Sequence, residues 1–189
     1  MVRLYRGQVP KLSAEIIQIL IASGDLEIEL AKIPEAEKDI GSVMEEYLRN
    51  DMKVLNRAKD ILSARRLSRE AMGKVRREVA AEYNHQLGEE GTRWMQHQII
   101  ECLVATPNVE EVYGDDVALL KRIREGFDRV LVSEDVLDAE VRGRMKNLRE
   151  GTPEFELKYQ EVMREVRLKY GLIKPREKRS GPGQRGHRR

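Results

Sequence analysis

His97 and Glu101 stand one helical turn apart and Cys102 follows at once, so one short stretch gathers residue types that hold a metal or attack an electrophile. A zinc-binding helix needs a second histidine about three to five residues from the first, and His97 has none. His85 and neighbouring acids complete the stock from which a proton-transfer site would be drawn. Cys102 reads as a small core residue rather than a nucleophile. The phosphate-cradling loop Gly-x-x-x-x-Gly-Lys-Ser/Thr, the dinucleotide fingerprint and the Gly-x-Ser-x-Gly elbow are all missing. Glu45-Glu46, Glu89-Glu90, Glu110-Glu111 and Asp115-Asp116 are adjacent carboxylates. Neighbours on a helix point in different directions, so these pairs read as solvated charge or helix starts. The expectation is a protein that is not an enzyme and uses no cofactor or metal.

Cations carry the stronger signal. From Lys174 to the last residue the chain holds Lys174, Arg176, Lys178, Arg179, Arg185, Arg188 and Arg189 against Glu177 alone, among glycines and prolines and without a large apolar side chain. Such a segment has nothing to bury and is expected to be a disordered arm whose cations meet phosphates without reading sequence. A second run, from Arg57 to Arg77, has eight cations against Asp60 and Glu70. Within it Arg65, Arg66, Arg69, Arg76 and Arg77 cluster around a turn between two helices. Arg66/Glu70 and Lys74/Glu78 fall four apart, where they would form surface pairs worth a few tenths of a kcal/mol. The acidic counterpart is Asp25 to Glu46, with eight acids against Lys32 and Lys38.

The elements that must position these charges are mainly helical. Leu12, Ile16, Ile19 and Leu20 make one face of a helix that Ser13 is placed to cap and Gly24-Asp25 stops. Leu26, Ile28 and Leu30 alternate with Glu27 and Glu29 as a short strand over 26–30, and Val2 and Leu4 supply a partner strand at 2–5. From Pro34 to Ala64, Ile40, Tyr47, Val54 and Ile61 recur every seven residues, the stripe of a long amphipathic helix. Asn50 and Asp51 interrupt its middle as a bend or a register-setting contact. A third helix covers about Ser68 to Asn84, a fourth Gly91 to Ala105, and a fifth starts near Asp116. Ser133-Glu134-Asp135 and Thr152-Pro153-Glu154 cap two more. Trp94, the only tryptophan, lies beside Met95 and Ile99 and reads as a packing residue between the halves of the chain.

Residues 15–27 and 98–110 match with an offset of 83 positions. Five of the thirteen pairs are identical and six more are close exchanges; only Ile19/Cys102 and Gly24/Pro107 depart, and both Gly24 and Pro107 end a helix. The matched order of elements extends to the stops at Tyr83-Asn84 and Tyr170-Gly171. The chain is therefore expected to be two tandem helical repeats of about 85 residues packed as a bundle, 1–87 and 88–172, followed by the basic tail 173–189. The longest apolar runs, such as Ile19 to Ala22, fall far short of the roughly 20 residues of a membrane span. Met1 to Gln8 lacks the apolar stretch of a signal peptide. A single cysteine allows no intrachain disulfide, which fits a reducing cytoplasm.

At Val2-Arg3-Leu4-Tyr5, Gly7 and Val9-Pro10, at Gly24-Asp25-Leu26-Glu27-Ile28 and at Asn108-Val109-Glu110-Glu111-Val112-Tyr113 the sequence resembles a bacterial family, domain-of-unknown-function family 507. The likeness covers about residues 2 to 172 and leaves the tail outside. It implies no activity and transfers no functional residue.

Two functions fit these features. The first is a non-enzymatic helical module contacting RNA, DNA or a ribonucleoprotein such as the ribosome, with the five arginines of 65–77 and the seven tail cations on phosphate. The second is a scaffold for a protein partner or a second copy of the chain, using the heptad face of residues 40 to 62 or the acidic stretch 25 to 46. Neither involves a membrane.

Overall fold

The computed structural model describes residues 4–131, 134–145 and 152–173. Among them the chain forms seven α-helices and one small two-stranded ribbon, an all-α bundle. Helix α1 spans Val9–Ala22, four residues longer at its start than the sequence pattern implied. Pro10 sits in its first turn, where a missing N–H costs nothing. Ser13 is consequently no cap: it lies inside the helix, buried against the rest of the fold.

The expected strand at 2–5 does not form in its described part. Leu4 is buried in the main core, the Tyr5 N–H donates to Gln8 Oε1 at 3.0 Å, and a 3-10 turn over Arg6–Gln8 leads directly into α1. The second expected strand is shortened to β1, Leu26–Glu27, and its partner is β2, Glu111–Val112, antiparallel with Leu26 opposite Val112. Leu30 opens a 3-10 turn that leads directly into the next helix at Ile33, and it is 84% exposed.

Helix α2, Ile33–Ala64, is unbroken over 32 residues and so about 48 Å long. Its apolar stripe serves two cores. Ile40, Met44 and Tyr47 join α1, α4 (Gly88–Ala105) and α5 (Asp116–Val130) in the largest cluster. Val54, Ala58 and Leu62 instead meet Val75, Val79 and Ala80 of α3, Met72–Glu82. The heptad face that the sequence offered to a partner is therefore covered within the chain. Asp51 marks the changeover. Its carboxylate receives Arg76 Nη2 from α3 at 2.6 Å, and α2 runs on unbroken through it.

A third cluster unites α6, Glu134–Arg144, with α7, Pro153–Lys169. Asp115 caps α5 at the Ala118 N–H and Thr152 caps α7 at the Phe155 N–H, as their sequence contexts require. The expected cap residue Ser133 lies outside the described residues. Gly7 admits the close approach that ties the start of the chain to the end of α7, since a Cβ there would come within 2.2 Å of the Gly171 carbonyl oxygen.

In the main cluster α1 packs on α2 and α5, while α4 packs on the same two helices. The large apolar identities of the two matched segments, Ile16, Ile17 and Leu20 and then Ile99, Ile100 and Leu103, are all buried there, while the shared Ala22 and Ala105 are exposed. The turns that follow reach across the bundle. Asp25 lies 3.5 Å from Arg122 Nε of α5, and Asn108 Nδ2 donates to Asp39 of α2 at 2.8 Å.

Candidate nucleic-acid interface

The α2–α3 hairpin is built by a chain reversal that leaves its cations outward. Arg65 closes α2, Arg66 turns left-handed with φ +50°, and the Leu67 N–H returns to the Leu62 carbonyl at 3.0 Å. This is a Schellman cap, in which glycine is the usual residue at the left-handed position. Arg65, Arg66, Arg69 and Arg77 are exposed. Among the described residues no ion pair involves any cation from Arg57 to Lys74.

The local pairs expected of the sequence are among those that do not form. Arg66 sits in the turn and Glu70 in a 3-10 segment, so their spacing of four is not a helical spacing. Lys74 and Glu78 share α3 but stay apart in solvent. Arg76 differs from the rest of the predicted set: its guanidinium is held by Asp51 and two-thirds covered. Elsewhere Arg122, Arg129, Arg142 and Arg144 all have carboxylate partners. Lys174, Arg176, Lys178, Arg179, Arg185, Arg188 and Arg189 lie outside the described residues.

Sequence reasoning missed an aromatic cleft at the base of the hairpin. α3 ends in another Schellman cap, with Asn84 at φ +49° and the His85 N–H bonded to the Ala80 carbonyl at 2.8 Å. The reversal sets Tyr83, Asn84, His85 and Gln86 against Tyr47, Asn50 and Lys53 of α2 and Trp94 of α4, enclosing about 200 Å³. Tyr47 forms the floor: its hydroxyl donates to the Gln86 carbonyl at 3.0 Å, and its ring lies 4.8 Å from His85 and 6.1 Å from Trp94. Trp94 thus does pack across the halves, yet it is 37% exposed on the cleft wall, and Tyr83 is 53% exposed. The signal that could have located the cleft was Tyr83 beside a left-handed Asn84, a pair that turns an aromatic back toward the preceding helix.

The residues first considered for chemistry do not converge. His97 is exposed, and Glu101 accepts from Gln98 Nε2 at 2.8 Å. Cys102 is half-buried against the main core, and burial, then the nearby Asp39 carboxylate, pushes its thiol pKa up. Among the described residues no group of three or more His, Cys, Asp and Glu side chains is gathered as a metal ion would need. The His85 side chain is largely covered, with Nε2 3.4 Å from Asp51 Oδ1 and that nitrogen without a hydrogen-bond partner among the described residues. Among those residues no helix is long and apolar enough to cross a membrane.

Residues 2–172 match the family described as protein of unknown function (DUF507), and the chain belongs to that family. No curated protein matches it. The residues that carried the resemblance have structural work here: Gly7 permits the contact with Gly171, and the other two signatures form the paired turns that contain β1 and β2.

Proposed function

We propose that this protein is a non-enzymatic helical module that binds RNA, DNA or a ribonucleoprotein through the α2–α3 hairpin, with the cations of 174–189 adding phosphate contacts. One observation carries the reading. Arg66 occupies a left-handed position whose backbone cost for a side chain is about 1–2 kcal/mol, and its guanidinium has no carboxylate partner among the described residues. A fold selected for stability alone would place glycine there. Arginine at that point, flanked by Arg65 and Arg69, concentrates positive charge at the outer end of the hairpin.

The same reading includes an ancestral duplication. It is supported by the 83-residue match, by burial of the same apolar positions, and by a reciprocal pattern: Asp25 faces Arg122 while Asn108 faces Asp39, and each residue of the first pair is 83 positions from one of the second.

Fluorescence anisotropy with labelled RNA and DNA tests the binding. Affinity should fall linearly with salt on logarithmic axes, and replacing Arg65, Arg66 and Arg69 together by Gln should lower the slope by about one for each phosphate no longer neutralised. Removal of residues 174–189 should lower it further. Absence of binding by the full chain at low ionic strength refutes the proposal.

A further inference from the structure

We propose that the cleft beneath the hairpin receives one unpaired base of a single strand, whose backbone then follows α2 toward the hairpin tip. This deepens the nucleic-acid reading and rests on it. A cleft of about 200 Å³ is smaller than the ~300–1,000 Å³ typical of drug-sized ligands. It fits roughly one ring system.

Its chemistry is that of a stacking site. Tyr83 and Trp94 offer partly exposed rings over the fixed floor of Tyr47, and every base has a π face to place against them. The polar edge is Lys53 with Asn50. Lys53 Nζ gives one hydrogen bond to Asn50 Oδ1 at 3.1 Å and keeps donor capacity for a phosphate or a base edge. Arg57 follows Lys53 by one turn on the same side of α2, and both are exposed. That turn is about 6 Å of helix, comparable with the step between successive phosphates of an extended strand. A base stacked inside a duplex cannot enter such a cleft without unpairing, so the site favours single strands.

Trp94 is the only tryptophan, so its emission reports the cleft directly. The full chain is titrated with a single-stranded RNA 12-mer, with the duplex of that 12-mer, and with AMP, reading Trp94 emission and anisotropy in parallel. The single strand should quench Trp94 with the same midpoint as the anisotropy change. Tyr83→Ala should weaken single-strand binding by at least about fivefold and leave duplex binding unchanged, whereas Tyr83→Phe should retain it. Tyr83 is more than half exposed, and circular dichroism verifies that its variants fold. Binding seen by anisotropy with Trp94 unmoved and Tyr83→Ala without effect overturns the cleft while the hairpin reading stands. No binding in either signal overturns both. Quenching by AMP as tight as by the strand, and insensitive to salt, replaces the strand with a free nucleotide and overturns the inference.

Discussion

Asn108 donates from Nδ2 to the Asp39 carboxylate at 2.8 Å, joining groups 69 residues apart in sequence. Thr106 Oγ1 reaches the same Asp39 oxygen at 2.5 Å. Ser23, Asp25 and Arg122 stand at the positions 83 residues away from Thr106, Asn108 and Asp39, with Ser23 Oγ donating to Asp25 and Arg122 nearby. If the halves are copies, the two sites are interchangeable. Asp39→Arg leaves a cation facing an amide, and Asn108→Asp sets two carboxylates together; each should cost about 1–2 kcal/mol in urea unfolding. The double variant recreates the Asp25–Arg122 pairing and should recover at least about 1 kcal/mol of the summed loss. Simple addition of the two losses would break the proposed equivalence.

Arg66→Gly separates stability from binding. Glycine removes the left-handed cost of about 1–2 kcal/mol but adds roughly 0.5–1 kcal/mol of chain entropy to the unfolded state. The net expectation is a gain between zero and about 1.5 kcal/mol, together with weaker, less salt-dependent RNA binding. Denaturation and anisotropy on one preparation suffice. A variant that bound as before would remove Arg66 from the interface.

The seven-residue recurrence of Ile40, Tyr47 and Val54 was readable in sequence because a helix repeats its buried face, and all three are buried. Periodicity does not say what covers that face. Ile40 and Tyr47 meet α1 and α4, whereas Val54 meets α3, and only the chain path decides the division. Pattern alone does not place the start of α1, because Ser13 suits a cap as well as a buried position inside the helix; Gln8, which accepts from the Tyr5 N–H, resolves the choice through a contact no pattern displays. The cations were legible as charge. That Arg76 is bound by Asp51 while Arg65 and Arg69 are not depends on the facing surface of α2.

Gly91→Ala tests the floor of the cleft. An added Cβ would lie 2.1 Å from Tyr47 Oη and 2.7 Å from the Gln86 carbonyl oxygen, the two atoms of one hydrogen bond. The methyl must displace the hydroxyl, so a loss of about 2–4 kcal/mol and a shift in Trp94 emission are expected. Gly73 in α3 provides the contrast. A Cβ there meets nothing within 4 Å, and Gly73→Ala should stabilise by up to about 1 kcal/mol. Equal effects at the two glycines would contradict the packing described around Tyr47.

The α6–α7 pair should respond to acid through Glu140. Lys169 Nζ donates to its carboxylate at 2.9 Å, and this bond, helped by Tyr170 and Arg144 against partial desolvation, holds the pKa down to about 2 from an ordinary 4.5. A carboxylate with a depressed folded pKa contributes its stability in full above the unfolded value and loses it as the pH falls through the folded one. The contribution is therefore whole above about pH 4.5 and gone near pH 2. Asp138 on the same helix moves the same way, lowered first by the Tyr159 hydroxyl and then by Arg142. Glu140→Gln should be less stable than the parent at neutral pH, with the difference shrinking to nothing across that window. Urea midpoints measured at a series of pH values give the comparison, and a difference independent of pH would mean that Glu140 acts through packing rather than charge.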